Sequence, residues 1–229
     1  MNLPSRSVDA RLPLALLSAV QQQDTPPELL PDEHPRSLFP HRLGLSGVID
    51  EQIRQFRRLA RLRRGVDEAQ VEALLGLIAR RSDAGEVFTA AGRELAGFHF
   101  SGLMGALRRV VRRLPMALRR RAAVRTLRTA HGAFLVATDL AVEPEPLEIR
   151  ATDALSVRAG GEGAACQLYA SLAASLLELS GAGATTVVHP KCQGRGDSCC
   201  VWQVQWGERQ HGPSGRSGKE PADAARAAT

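Results

Sequence analysis

Aromatic side chains supply only 4% of this 229-residue chain: six phenylalanines, two tryptophans and one tyrosine. A core of stacked rings is therefore excluded, and Leu, Val and Ala must fill the interior. Lysine is almost missing, since Lys191 and Lys219 are the only two, so arginine carries the net charge of +6. No apolar run approaches the roughly 20 residues that a membrane-spanning helix needs. The chain has no Gly-x-Gly-x-x-Gly fingerprint and no Gly-Lys-Ser/Thr phosphate loop, which removes the usual carriers of nucleotide and hydride chemistry. His99 and His131 could each serve as a base, but a lone histidine is more often structural, and no catalytic constellation emerges. An enzyme is therefore not the expectation.

Cysteine is also scarce, but it is concentrated. All four cysteines fall between Cys166 and Cys200. Cys166, His189, Cys192 and Cys200 have the order Cys-x22-His-x2-Cys-x7-Cys, and three thiols with an imidazole make a complete tetrahedral set for structural zinc. Local patterning brings them together. Ala165 to Ser180 reads as a helix with Leu168, Leu172, Leu176 and Leu179 on one stripe and glycines at its end. Thr185 to Val188 reads as a strand that Pro190 should end near His189. Gln193 to Ser198 is turn chemistry, and Cys200 to Trp206 alternates, with Cys200, Trp202, Val204 and Trp206 on one face. Cys199 points to the opposite face, so Cys200 is the preferred ligand. Two other readings of the window stand beside zinc: buried small hydrophobes with a satisfied histidine, or a disulfide such as Cys192 with Cys199 in an oxidising compartment.

The pattern His189-x2-Cys192-x3-Gly196-Asp197-x2-Cys200-x-Trp202, preceded by Cys166 in a helix, resembles the C-terminal signature of the 4-vinyl-reductase domain family. The resemblance is specific over about residues 145–206 and loose over 40–145. An acidic residue more often stands in that family where His189 stands here. Its zinc-binding members include sensor domains of phenol-responsive bacterial transcription activators. Position by position, the resemblance implies Cys166, His189, Cys192 and Cys200 as ligands of a structural Zn2+ and leaves Cys199 out. It also implies an architecture shared with Golgi-transport particle subunits and similar to haem nitric-oxide sensor domains, a homodimer, and a cavity for an apolar or aromatic small molecule. Phe98, Phe134, Tyr169 and Trp202 are the candidate walls of that cavity.

Along the chain, Leu12 to Leu17 is a short apolar run interrupted by Pro13, with Asp9 before it, and is a poor signal peptide. Residues 1–40 are expected to be disordered, with the folded domain starting near Leu43 and spanning 41–207, and 208–229 forming a disordered tail. Amphipathic helices are expected over Val48 to Arg64, Val66 to Arg81 with Asp67 as N-cap, and Ser82 to Gly97. Phe98-His99-Phe100 follows as a core-filling insert. Gly105 to Arg128 is the most basic stretch, with nine arginines between Arg108 and Arg128 and a break at Pro115. Leu107, Val110, Val111 and Leu114, then Leu118, Val124 and Leu127, form its apolar stripe. His131 to Leu140 reads as a strand, Val142 to Pro146 as a turn, and Leu147 to Val157 as one or two short strands.

These elements give an α+β plan: N-terminal helices packed on an antiparallel sheet, and a C-terminal helix plus β-hairpin clamped by zinc. The expected function is a zinc-stabilised small-molecule-binding domain, sensor or carrier, in a bacterial cytoplasm. One alternative is an accessory that binds a vinyl tetrapyrrole for 8-vinyl reduction in bacteriochlorophyll synthesis, whose propionates would suit an arginine-rich rim. A basic nucleic-acid-binding module comes last, because no recognition motif accompanies the charge. The basic stretch reads first as a solvated face, then as a docking site for phosphate or an acidic protein partner, and only then as a nucleic-acid contact.

Overall fold

A computed structural model describes residues 7–24, 48–101, 111, 113–160, 162–183 and 185–207. The expected start of the domain at 41–47, the tail 208–229, and Leu107 and Val110 of the basic stretch lie outside the described residues.

The helical half begins earlier than Leu43. Strand β1 (Ser7–Asp9) leads into helix α1 (Arg11–Asp24), in which Leu12 to Leu17 and Ala19 are all buried. Asp9 accepts hydrogen bonds from the Arg11 backbone amide at 2.9 Å and from its guanidinium, which fixes the entry to the helix. Pro13 sits in the first turn, where its missing N–H breaks no intrahelical bond. The expected disorder of residues 1–40 is thus corrected for 7–24; residues 25–40 lie outside the described set.

Helix α2 (Val48–Arg61) buries Ile53 and Phe56 and turns its arginines outward. Strand β2 (Gly65–Asp67) follows and pairs antiparallel with β1, Val8 opposite Val66. Helix α3 (Glu68–Ala79) is capped by Asp67, whose carboxylate accepts from the Ala69 amide at 2.9 Å. Helix α4 (Ala84–His99) buries Val87, Phe88, Ala91 and Leu95. Phe98 and His99 belong to its last turn and are half-buried.

Helix α5 (Met116–Phe134) starts after Pro115 and runs through His131 to Phe134. The strand expected from His131 is corrected: Ala123, Leu127, Ala130, His131 and Phe134 form one buried helical stripe, and helix packing overrides the local β propensity. Leu118, expected on that stripe, is exposed. Strand β3 (Asp139–Pro144) then pairs with β4 (Leu147–Thr152) across a tight turn at Glu145-Pro146. The turn is therefore shorter than expected, because β3 continues to Pro144. Leu155 to Val157 is not a strand but part of the one-turn helix α6 (Leu155–Arg158).

Helix α7 (Cys166–Leu179) is buried along most of its circumference. It packs against α4 on one side and β5 (Thr185–Lys191) on the other. The chain closes with a 3-10 turn (Gln193–Arg195) and β6 (Cys200–Trp206). The sheet order is β3-β4-β6-β5, antiparallel throughout. Strand β5 outruns its expected end because the ladder slips between Val188 and Lys191, which spares Pro190 a donor it does not have. The fold is α+β, with α7 sandwiched between the sheet and the layer of α1 and α4.

Candidate metal centre

Four elements converge on one point beside α7. Cys166 comes from the first residue of α7, His189 from the slipped part of β5, Cys192 from the start of the turn and Cys200 from the first residue of β6. Their ligand atoms all lie within 4.8 Å of one another. The sulfur separations are 3.9 Å for Cys166–Cys192, 4.0 Å for Cys166–Cys200 and 4.0 Å for Cys192–Cys200. Three sulfurs about 2.3 Å from a common tetrahedral ion would stand about 3.8 Å apart. These four residues can hold a metal ion.

The surroundings are built for thiolates. The Gln193 amide donates to Cys200 Sγ at 3.4 Å, and Ser156 Oγ lies 3.2 Å from Cys166 Sγ. Trp202 Nε1 donates to the Cys166 carbonyl at 3.1 Å and its ring stacks on His189, centroids 4.8 Å apart. The Asp197 carboxylate accepts from the Cys192 amide at 2.7 Å, closing the turn that carries the ligand. Gly196, at φ +97°, lets the chain reverse there. His189 Nε2 is buried with no hydrogen-bond partner, so a lone pair or proton is left for something else. A metal bond would satisfy it.

The charge state points the same way. Hydrogen bonding from Cys166 holds the Cys200 thiol down at about 4 despite burial, while the same contact, with burial, pushes Cys166 up. Burial, then the negative charge on Cys200, raises Cys192. Burial and mutual repulsion oppose ionising all three thiols at once, and a divalent cation would let all three ionise.

The cysteines carry no disulfide. Cys192 faces the cluster, and Cys199 is half-buried outside it. Of the four aromatic side chains expected around a ligand, Phe134, Tyr169 and Trp202 are completely buried in the core. Tyr169 packs edge-on to Trp202 and donates to the Phe134 carbonyl at 3.4 Å. Phe98 lies apart, at the end of α4.

The basic stretch is partly tied into the fold. Arg119 and Arg128 donate to the Gly181 and Val142 carbonyls, and Arg120 lies over the Trp206 ring at 4.4 Å.

Two contributors to the site escaped the sequence. Ser156 lay in a segment that reads as strand. Gly163, at φ +84°, leaves no room for a Cβ beside Cys192 Sγ. Only a Gly-rich loop marked it. The centre also borders a cleft of about 890 Å³, which shares Gly163 and His189 as walls.

By fold and site this is an α+β domain with a four-residue Cys/His cluster able to hold a metal. No family model, no curated protein and no solved structure matches the chain. No helix among the described residues is long and apolar enough to cross a membrane.

Proposed function

We infer that the chain is a zinc-stabilised small-molecule-binding domain, in which the metal locks the β5–β6 hairpin onto α7 rather than performing chemistry. The observation that carries the reading is the spacing of the three sulfurs, with a ring nitrogen of His189 within 4.8 Å of them completing the set. Three soft thiolates and an imidazole favour zinc over the hard divalent ions. Four protein ligands fill its coordination sphere and leave no position for an activated water. Residues Cys166, His189, Cys192 and Cys200 would hold the ion; Gln193, Ser156 and Trp202 would orient and tune the ligands.

The likeness to 4-vinyl-reductase domains is retained as part of this proposal, since the four clustered residues are the ones that carry it. It supports a ligand-binding role, a dimer and a reducing, cytoplasmic setting. The tetrapyrrole and nucleic-acid readings gain no specific support from the geometry. The test is zinc K-edge absorption on the purified protein: the reading expects three sulfurs at about 2.3 Å and one nitrogen at about 2.0 Å. A sphere of oxygen or water ligands would overturn it.

A further inference from the structure

The cleft beside the metal centre has a polar wall, and its charged side chains make no ion pair with any described residue. On its α4 side stand Glu86 and Arg93, seven residues apart and so about 10 Å along one face of the helix. That distance keeps them from pairing with each other. Glu162 and Arg195 also line the cleft. The side chains of Glu86, Arg93 and Glu162 have no hydrogen bond or ion pair with any described residue. Among the described residues the Arg195 side chain makes one bond, from Nη2 to the His189 carbonyl at 2.8 Å, which positions the rest of its fork. Gln167 and Thr89 add neutral hydrogen-bonding groups to the lining, with Gln167 Nε2 donating to Thr89 Oγ1 at 3.5 Å. Among the described residues, no aromatic side chain other than the His189 ring lines the space.

A cleft lined by two acids, two guanidiniums and amide-compatible groups suits a ligand that is itself an extended zwitterion. An ammonium group would be met by the carboxylates and a carboxylate by the guanidinium forks, which bind it in bidentate fashion. The spacing fits a short peptide, because two or three extended residues place their termini about 7–10 Å apart. We propose that this cleft binds a short peptide-like zwitterion by its two ends, with Glu86 and Arg93 as the selecting pair on α4. The proposal rests on the reading of the chain as a ligand-binding domain held by zinc. It names the class of ligand for the cleft that shares His189 with the metal centre.

The probe is triglycine, titrated calorimetrically against the metal-loaded full chain. N-acetyl-triglycine lacks the ammonium, and triglycine amide lacks the carboxylate. Saturable binding of triglycine is expected, with both capped forms weaker. Glu86→Gln and Arg93→Gln should each raise its Kd by about three- to fivefold, as loss of one exposed charge pair would. Both positions are exposed, so the fold should tolerate them. Zinc content is measured on the same samples. No triglycine binding at millimolar concentration, equal binding of the capped forms, or indifference to both substitutions overturns the proposal. If zinc is present in that case, only the cleft assignment fails; if wild type is metal-free, the domain reading fails with it.

Discussion

At the scale of single residues, Gly163 and His131 carry the clearest consequences. A methyl group at 163 would overlap Cys192 Sγ, and the backbone there is left-handed, where non-glycine residues are strained. Gly163→Ala should therefore lose metal to a chelator much faster than wild type and unfold about 1–3 kcal/mol more easily. Chelator competition and urea titration measure the two effects. Unchanged zinc retention would remove Gly163 from the site.

His131 acts through protons instead. It is fully buried, its Nδ1 donates to the Leu127 carbonyl at 3.0 Å, and its Nε2 has no hydrogen-bond partner. Burial lowers its pKa to about 4 from an ordinary 6.5. The unfolded chain then binds a proton that the folded chain refuses, so stability is full above pH 6.5 and falls as the pH drops toward 4. The total loss from this group is up to about 3 kcal/mol. Urea midpoints taken across that window should fall more steeply for wild type than for His131→Gln. Parallel slopes would show that His131 does not stay neutral.

At the scale of elements, the crossing of α4 and α7 sets how closely the helical layer approaches the metal centre. Gly92 makes it tight: a Cβ there would come 2.5 Å from the Leu168 carbonyl and 2.8 Å from the Leu172 amide. Both are backbone atoms, which no side-chain rotation relieves. Gly92→Ala should cost about 1–3 kcal/mol in urea unfolding by forcing the helices apart. A variant as stable as wild type would mean that the two helices do not pack as described.

The same scale shows what the sequence could disclose. The C-terminal third was legible because local signals and tertiary structure agree there: turn residues, alternation over Cys200–Trp206 and the leucine stripe of α7 all describe elements that form. The metal cluster followed from that agreement, since the register of β6 alone separates Cys200 from Cys199. Strands β1 and β2 are three residues each, too short to show a period. Helix α1 hid behind Pro13, which breaks a helix interior but not a first turn. The end of α5 was hidden by Phe134-Leu-Val, which favours strand locally, although Leu127, Ala130, His131 and Phe134 already kept a helical spacing. Helix α6 is a single turn with no sequence signature, and with it Ser156 went unseen.

At the scale of the whole molecule, the cluster joins parts that hydrophobic burial alone would hold less firmly. One ligand belongs to the central helix and three to the hairpin at one side of the sheet, so a bound ion would fix the sheet to the helical layer. The core is continuous and rich in Leu, Val and Ala, and it spans both the early helices and the sheet. Zinc would then set the local geometry of a domain that already has a core, and shape the cleft through His189 and Gly163. The most direct measurement is zinc by elemental analysis on protein purified without added metal, in wild type, Cys192→Ala and Cys199→Ala. The account predicts near one zinc per chain in wild type and in Cys199→Ala, and none in Cys192→Ala. A metal-free wild type, or zinc retained without Cys192, would contradict it.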